Sequence, residues 1–579
     1  MKKSAWTAIG LSLTLGLFGG ASTSHGPAGS FPAVFLAPLS QDYARYVEDV
    51  RAGRWRPTND LGLTPVVPSP VDVSRIQGLF SPLTAVPPAT YDLRKLFKMT
   101  SVKNQSPLAG TSLFATLASL ESYLKPDETW DFSENHLDES SAGGGFLEAI
   151  IGALVRWDDP LAEGDAPWIR SFPPQEPRAV KHVQNVLFLP PRADALDNDR
   201  IKQAVLELGA VYADMYFPAS AYESTTHAFY NPGLAENLHA VAVAGWDDAY
   251  SRTNFNRPPP GNGAFICKNS LGPGWGEGGY FYVSYHDVYL GRRSFSAVFS
   301  AEPAAGLTKN YQYDLNGCTA RLGFDDEVAW FASLFTATRP DPLRAAGFYA
   351  YVPNAVYEVL VYTDVTPGHP RSGTLAARVS GILAAPGYWT IFLPAAIPLA
   401  VDQRFSVVVK LRTPGDSFPI SVEHPLAGTK AVFAAFPGES FISPDGAIWR
   451  DLADHEPPAY SLTNVCLKAF AGYPPIYPPL NLKGDRLTNN FAFFKEYVDR
   501  LTWLPNPKNA DRNNPVVAYR IYRRLMGPEE EGFSLVLEAG PQNLVAYVRG
   551  LKKEETYSYR VLAVLADGRE GDPAEVSIF

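Results

Sequence analysis

Residues 104–124 read NQSPLAGTSLFATLASLESYL, and the group in them that could do chemistry is the hydroxyl of Thr111. Leu113, Phe114, Leu117, Leu120 and Leu124 recur at steps of three and four, which predicts a helix with one buried face starting near 110–111. Thr111 therefore falls at a helix N-terminus, where unpaired backbone N–H groups gather partial positive charge that stabilises an anionic nucleophile or an oxyanion. Threonine is also a good N-cap, and Gly-Thr-Ser ahead of an apolar run, taken alone, reads as a cap. The three cysteines offer the other common nucleophile. Cys267 follows the apolar residues 264–266 and reads as a buried, inert thiol. Cys318 and Cys466 lie near the two ends of a β-rich segment and could form one bridge.

The elements around these residues alternate between helix and strand. An amphipathic helix over 201–209 precedes AVYADMYF, an alternating strand. His239 opens the strand AVAVAGW, and Asn269 closes FICKN just before the turn at 272–274. A single histidine before a buried strand reads on its own as a packed structural residue.

Taken together, three stretches change that reading. VKNQSPLAGTSLFATLASLE resembles the nucleophile segment of papain-like cysteine peptidases, ENLHAVAVAGWDD resembles the segment around their histidine, and GAFICKNSLGPGWGEGGYFYVSY resembles their Asn-containing segment. By that resemblance Thr111 takes the nucleophile's place, Gln105 the oxyanion-hole position, His239 that of the base, and Asn269 that of the residue orienting it. His239 follows Thr111 by 128 residues and Asn269 follows it by 158, close to the roughly 130–150 of papain-type enzymes. FSENHL at 132–137 and the paired glycines Gly144 and Gly145 extend the likeness. The glycines correspond to a substrate-cleft wall, where a peptide can approach the backbone closely. A loop is the alternative reading of 143–145.

The resemblance implies a papain-like domain over 91–301. Ahead of it, Lys2 and Lys3 precede an apolar run from 5 to 18 and then small residues, the form of a secretory signal peptide over 1–23. The run is too short for the ~20 apolar residues of a transmembrane anchor. A secreted or extracytoplasmic location is expected. Residues 24–90 form an extension with one short helix, carrying Tyr43, Tyr46, Val47 and Val50, laid on the next domain, then a proline-rich extended stretch in the place of a propeptide.

From 310 to about 470, strands such as AVYEVLVYTDV and RFSVVVKLRT give a β-sandwich pattern resembling the lectin-like domain of some secreted bacterial papain-like proteins, bounded at 308–472. YPPIYPPL at 473–480 reads as a linker. Residues 476–579 resemble a fibronectin type III domain, with Trp503 as core tryptophan and Tyr557 or Tyr559 near the tyrosine corner. The expected fold class is thus multidomain: an α+β papain-like domain followed by two all-β sandwiches.

A chain of 579 residues has material for several cores, and 46% apolar with 19% charged residues is ordinary globular composition. The formal charge of −10, without a basic run, argues against a nucleic-acid partner. Neither a cofactor nor a metal is expected. The partners expected are a peptide or protein in the cleft and a glycan or cell-envelope surface.

The exchange of sulfur for oxygen at 111 decides the expected activity. A papain-type thiol yields its proton to histidine and rests as a thiolate, whereas a threonine alkoxide is too basic to persist beside imidazole. Attack would need concerted base removal of the proton, as in a serine triad. Ser112 and Leu271 replace two tryptophans of the family pattern, and Leu108 and Ala142 stand at the places of a family disulfide. The expectation is a papain-fold pseudopeptidase. A Thr111-based hydrolase and a carbohydrate-binding protein are the alternatives.

Overall fold

The computed structural model describes residues 31–55, 65–73, 86–106, 110–141, 146–166, 179–233, 238–304, 306–429, 431–454, 460–473, 476–510, 514–526 and 532–579. The expected signal peptide, Leu108, Ala142 and the cleft glycines Gly144 and Gly145 lie outside the described residues. The chain divides into two compact units, residues 1–304 with 308–472, and residues 305–307 with 473–579.

Helices α1 (Gln41–Arg51), α2 (Thr111–Leu124), α3 (Glu134–Ser140), α4 (Leu147–Arg156) and α5 (Asp199–Glu207) belong to the first unit. Gly110 is the N-cap of α2, with φ near +123°, so Thr111 is the first helical residue rather than the cap. The apolar stripe of α2 predicted one buried face, yet all its residues except Tyr123 are buried. Its small polar residues make this possible by finding partners inside: Ser119 Oγ donates to Ala210 O (2.6 Å) and Ala210 N–H donates to Ser122 Oγ (2.9 Å). The strand Val211–Tyr216, predicted to alternate, is likewise buried on both faces, since it is a central strand packed by α2 and α5.

One 13-stranded sheet runs through this unit. Its one half holds the neighbouring strands Lys181–Leu189, Ser296–Pro303, Val211–Tyr216, Leu238–Asp247, Ala264–Lys268 and Tyr280–Ser284. Its other half continues without a break into the lectin-like region, because Gly387–Ile397 pairs with Lys181–Leu189 through Gly387↔Leu187 and Tyr388↔Val186. Leu343–Ala350, Leu467–Ala471 and Lys309–Tyr311 follow in turn. Side chains reinforce the seam: Thr390 N–H donates to Asn185 Oδ1 (3.0 Å), and Trp157 stacks between His182 (3.8 Å) and Phe470 (4.5 Å). A six-stranded sheet, which includes Val328–Thr336, Ala355–Thr363 and Arg404–Arg412, faces this half across contacts such as Phe331 with Phe348. On the opposite face of Leu467–Ala471 from Leu467, Lys468 Nζ forms a fully buried ion pair with Asp314 Oδ2 at 2.8 Å.

Helix α1 was expected on the papain-like domain. Although Tyr43 touches Phe146 there, the tyrosine hydroxyls of α1 donate into the lectin-like region, Tyr43 to Ala427 O (2.8 Å) and Tyr46 to Gly428 O (3.0 Å). The strand Phe35–Leu36 also pairs with Ala320–Gly323. The bridge between Cys318 and Cys466 is not formed: both are free, buried thiols beside the strand Ile420–Glu423, and Cys318 Sγ donates to Ala320 O (3.3 Å).

The second unit has two antiparallel sheets, Leu480–Asn490 with Lys495–Leu504 and Val545–Leu551, and Ser534–Ala539 with Val516–Leu525, Tyr557–Leu565 and Ala574–Ile578. Trp503 is buried against Tyr519, and Tyr559 donates to Asp499 Oδ2 (2.8 Å). Part of the expected linker belongs to this unit, since Ile476 is buried in its core. Among the described residues no helix is long and apolar enough to cross a membrane, and no group of three or more His, Cys, Asp or Glu could hold a metal ion.

Candidate active site

Sheet order brings the chemistry-bearing residues together. The strand Leu238–Asp247 carries His239, its neighbour Ala264–Lys268 ends one residue before Asn269, and α2 begins at Thr111. His239 Nε2–H donates to Asn269 Oδ1 at 2.9 Å, and Ser270 N–H donates to the same oxygen at 2.8 Å. Two donors on one atom fix it as the amide oxygen, so the proton of the neutral imidazole sits on Nε2 and Nδ1 presents a lone pair. His239 is fully buried, and that burial pushes its pKa down to about 4 against the weaker pull of the Asn269 hydrogen bond. Nδ1 has no hydrogen-bond partner among the described residues.

The hydroxyl oxygen that could meet Nδ1 accepts a hydrogen bond from the backbone. Ala240 N–H donates to Thr111 Oγ1 at 3.1 Å. Pairing between Leu238–Asp247 and Ala264–Lys268 begins only at Ala242↔Lys268, so the backbone from 238 to 241 has no strand partner on that side. Thr111 therefore supplies a side-chain acceptor where the sheet supplies no carbonyl. Gln105 joins the same cluster: its N–H donates to Ser270 O (2.9 Å), and its side-chain oxygen accepts from Ser270 Oγ.

Sequence reasoning brought Thr111, His239, Asn269 and Gln105 to one place, and missed three neighbours. Phe217 packs its ring 4.8 Å from the His239 ring and stacks on Phe229 at 4.9 Å, an aromatic neighbour of the imidazole. Ser270 holds both Gln105 and the amide oxygen of Asn269. Val66, in the extension, donates its N–H to Leu238 O (3.0 Å), one residue before His239, and is itself buried. Ser270 lay inside the Asn-containing stretch without being singled out, the match covered neither Val66 nor Phe217, and only the aromatic end of AVYADMYF hinted at Phe217. The extension at Val66 thus lies beside His239. It is held there by Ser40 N–H donating to Pro70 O (3.0 Å) and by Ser69 Oγ donating to Glu148.

Behind Asn269 lies a charged cluster. Lys103 Nζ meets Glu134 (2.9 Å) and Asp131 (2.7 Å), Phe132 N–H donates to Glu121 (3.0 Å), and Lys268 Nζ donates to Thr100 Oγ1 (3.1 Å). Cys267 is no substitute nucleophile, because complete burial pushes its thiol well up.

Residues 87–293 match the papain family cysteine protease, and residues 310–471 match the lectin like domain. The chain carries a papain-family cysteine protease domain followed by a lectin-like domain. The papain-family domain is 31% identical over 209 residues to the viral cathepsin of Antheraea pernyi nuclear polyhedrosis virus, which spans 34% of this chain and 59% of that protein. It is 38% identical over 220 residues to the viral cathepsin of Bombyx mori nuclear polyhedrosis virus, spanning 36% of this chain and 62% of that protein. The chain thus covers about three-fifths of the length of these relatives. Both domains together share the fold of the cysteine protease and lectin-like domains of Cwp84, a surface layer associated protein of Clostridium difficile. That likeness has a TM-score of 0.64 and 24% identity over 77% of this chain and 99% of that one.

Proposed function

We propose that this chain is an exported pseudopeptidase, a papain-fold domain whose cleft binds an extended peptide without cutting it. The observation that carries this reading is the hydrogen bond from Ala240 N–H to Thr111 Oγ1, beside a His239 Nδ1 that has no partner among the described residues. A general base works best within hydrogen-bond reach of the proton it removes and with a pKa near the working pH; His239 Nδ1 makes no hydrogen bond to Thr111, and burial lowers the pKa of the ring to about 4. The peptide site is read from Val66: an extended segment already pairs with Leu238 beside His239, and a peptide that displaced it would use the same carbonyl. The lectin-like domain is proposed to hold the protein at a glycan or cell-envelope surface. Residues 1–23 are proposed as its export signal and 476–579 as a fibronectin type III spacer.

Purified protein incubated with fluorogenic peptides should show no turnover, and Thr111→Ala should behave identically. Val66→Pro, which removes the N–H donated to Leu238, should raise peptide binding measured by fluorescence anisotropy. Turnover abolished by Thr111→Ala overturns the pseudopeptidase reading in favour of a Thr111 hydrolase, for which the His239–Asn269 and Gln105–Ser270 pairs are in place. Unchanged peptide binding in Val66→Pro overturns the cleft-binding part alone.

A further inference from the structure

The second unit ends one of its hairpins in an apolar tip. Leu480–Asn490 and Lys495–Leu504 pair out to Asn490↔Lys495, and the connecting residues are Phe491, Ala492, Phe493 and Phe494. Phe493 is 99% exposed, Phe494 62% and Phe491 52%. Phe491 and Phe494 stack on one another at 4.7 Å, so they brace the turn instead of folding onto the body of the unit. The third strand, Val545–Leu551, stops pairing at Tyr497↔Leu551, and the hairpin runs two further rungs, Asn489↔Glu496 and Asn490↔Lys495, before the turn. At about 3.4 Å per residue, the tip stands roughly 10 Å beyond the three-stranded part of its sheet.

We propose that this tip is a membrane-interface anchor, which seats its three phenylalanines at the polar–apolar boundary of a lipid bilayer. Phe493 projects free of the stacked Phe491–Phe494 pair, so a fluid phase receives the tip without a matching cavity. One backbone hydrogen bond, Phe491 N–H to Phe494 O (2.9 Å), closes the turn. The apolar part is sharply bounded by Asn489, Asn490, Lys495 and Glu496. The distance from that polar rim to the end of the turn, about 5–7 Å, matches the depth to which interfacial elements sink. Charge does not oppose the approach. Residues 473–579 carry 14 Lys or Arg and 14 Asp or Glu, so the formal −10 of the chain lies wholly before Tyr473. Of the rim charges, Glu496 is neutralised by Arg549 (2.8 Å), while Lys495 has no ion-pair partner among the described residues and can meet a lipid phosphate.

The test is flotation of the full chain with vesicles of phosphatidylcholine alone and of phosphatidylcholine with one-third phosphatidylglycerol. Wild type should float with both, more strongly with the anionic set. Phe493→Ser should lower the partition coefficient at least tenfold on both without moving Tm, since that ring touches nothing in its own fold. Lys495→Glu should weaken only the anionic case. In an Ala492→Trp reporter, emission should shift to the blue on mixing with vesicles. Wild type that stays at the bottom of both gradients, or Phe493→Ser that floats as well as wild type, overturns the proposal. So does a tip that captures a protein partner while ignoring both lipid sets.

Discussion

The cleft and the seam with the lectin-like domain lie three strands apart in one sheet, and they meet the sheet's open hydrogen-bonding groups in opposite ways. At the seam, Lys181–Leu189 is joined by another domain's strand, backbone to backbone. At the cleft, Leu238–Val241 lacks a strand partner on one side, and what covers it is a threonine hydroxyl and an extended segment from the extension. The first arrangement is permanent and insulates an edge from unwanted pairing. The second covers the edge with one isolated bridge and one side-chain acceptor in place of a continuous ladder, and strand addition by a peptide is the kind of pairing such an edge can take. In a papain-type site the nucleophile serves the reaction; here the hydroxyl in that position accepts a hydrogen bond from the sheet.

The largest effect is expected where the seam has no room. A Cβ on Gly387 would fall 2.0 Å from Val186 O, at a φ of +152°. Gly387→Ala should therefore cost at least ~3 kcal/mol and loosen both domains at once, because the clash is with backbone that cannot step aside. Urea unfolding followed by limited proteolysis checks this; loss of the lectin-like domain alone would mean that the two domains are not coupled through their shared sheet.

At the cleft, the matching effect depends on pH. His239 is held neutral with a pKa near 4, below the ~6.5 of an unfolded histidine, so between those values the unfolded chain binds the extra proton and stability falls as pH drops. The stability difference between wild type and His239→Gln should shrink by about 3 kcal/mol from pH 7 to pH 4. Taking that difference cancels the buried carboxyls, such as Glu148, which burial pushes up to about 7 and which act in the opposite sense. A difference that stays constant with pH would mean that the ring is already wet.

Thr111 separates structural from chemical use of a hydroxyl. Thr111→Val keeps the shape and strands Ala240 N–H, which should cost about 1–3 kcal/mol, whereas Thr111→Ser should stay within about 0.5 kcal/mol. Equal stability of all three proteins in thermal unfolding would remove the sheet-completing role from the hydroxyl.

The site was legible in the sequence to the extent that it is local. Residue types at Gln105, Thr111, His239 and Asn269, each with its flanking run, located the cluster, because each stretch is a short segment read in register. The direction of the Thr111 hydroxyl was not legible, since it depends on where the Ala264–Lys268 strand begins to pair. Nor was the seam, because Lys181–Leu189 and Gly387–Ile397 are some two hundred residues apart and each reads as a strand with any partner. The α2 stripe misled because its serines and Glu121 look solvent-facing until backbone groups from elsewhere in the chain supply their partners.

The smallest effect should come from Phe217. Its ring contacts with His239 and Phe229 are worth about 1 kcal/mol, and Phe217→Leu keeps most of the apolar area. Stability is thus a weak readout there. The ring is part of the packing that buries the imidazole, and with a smaller side chain the burial that holds the imidazole pKa down should be partly relieved. Titration of His239 by NMR should therefore move upward from about 4 toward the ordinary histidine value in Phe217→Leu, while the fold stays intact. If the titration does not move, the strap at Val66 alone keeps water out, and that cover rather than the aromatic sets the electrostatics of the cleft.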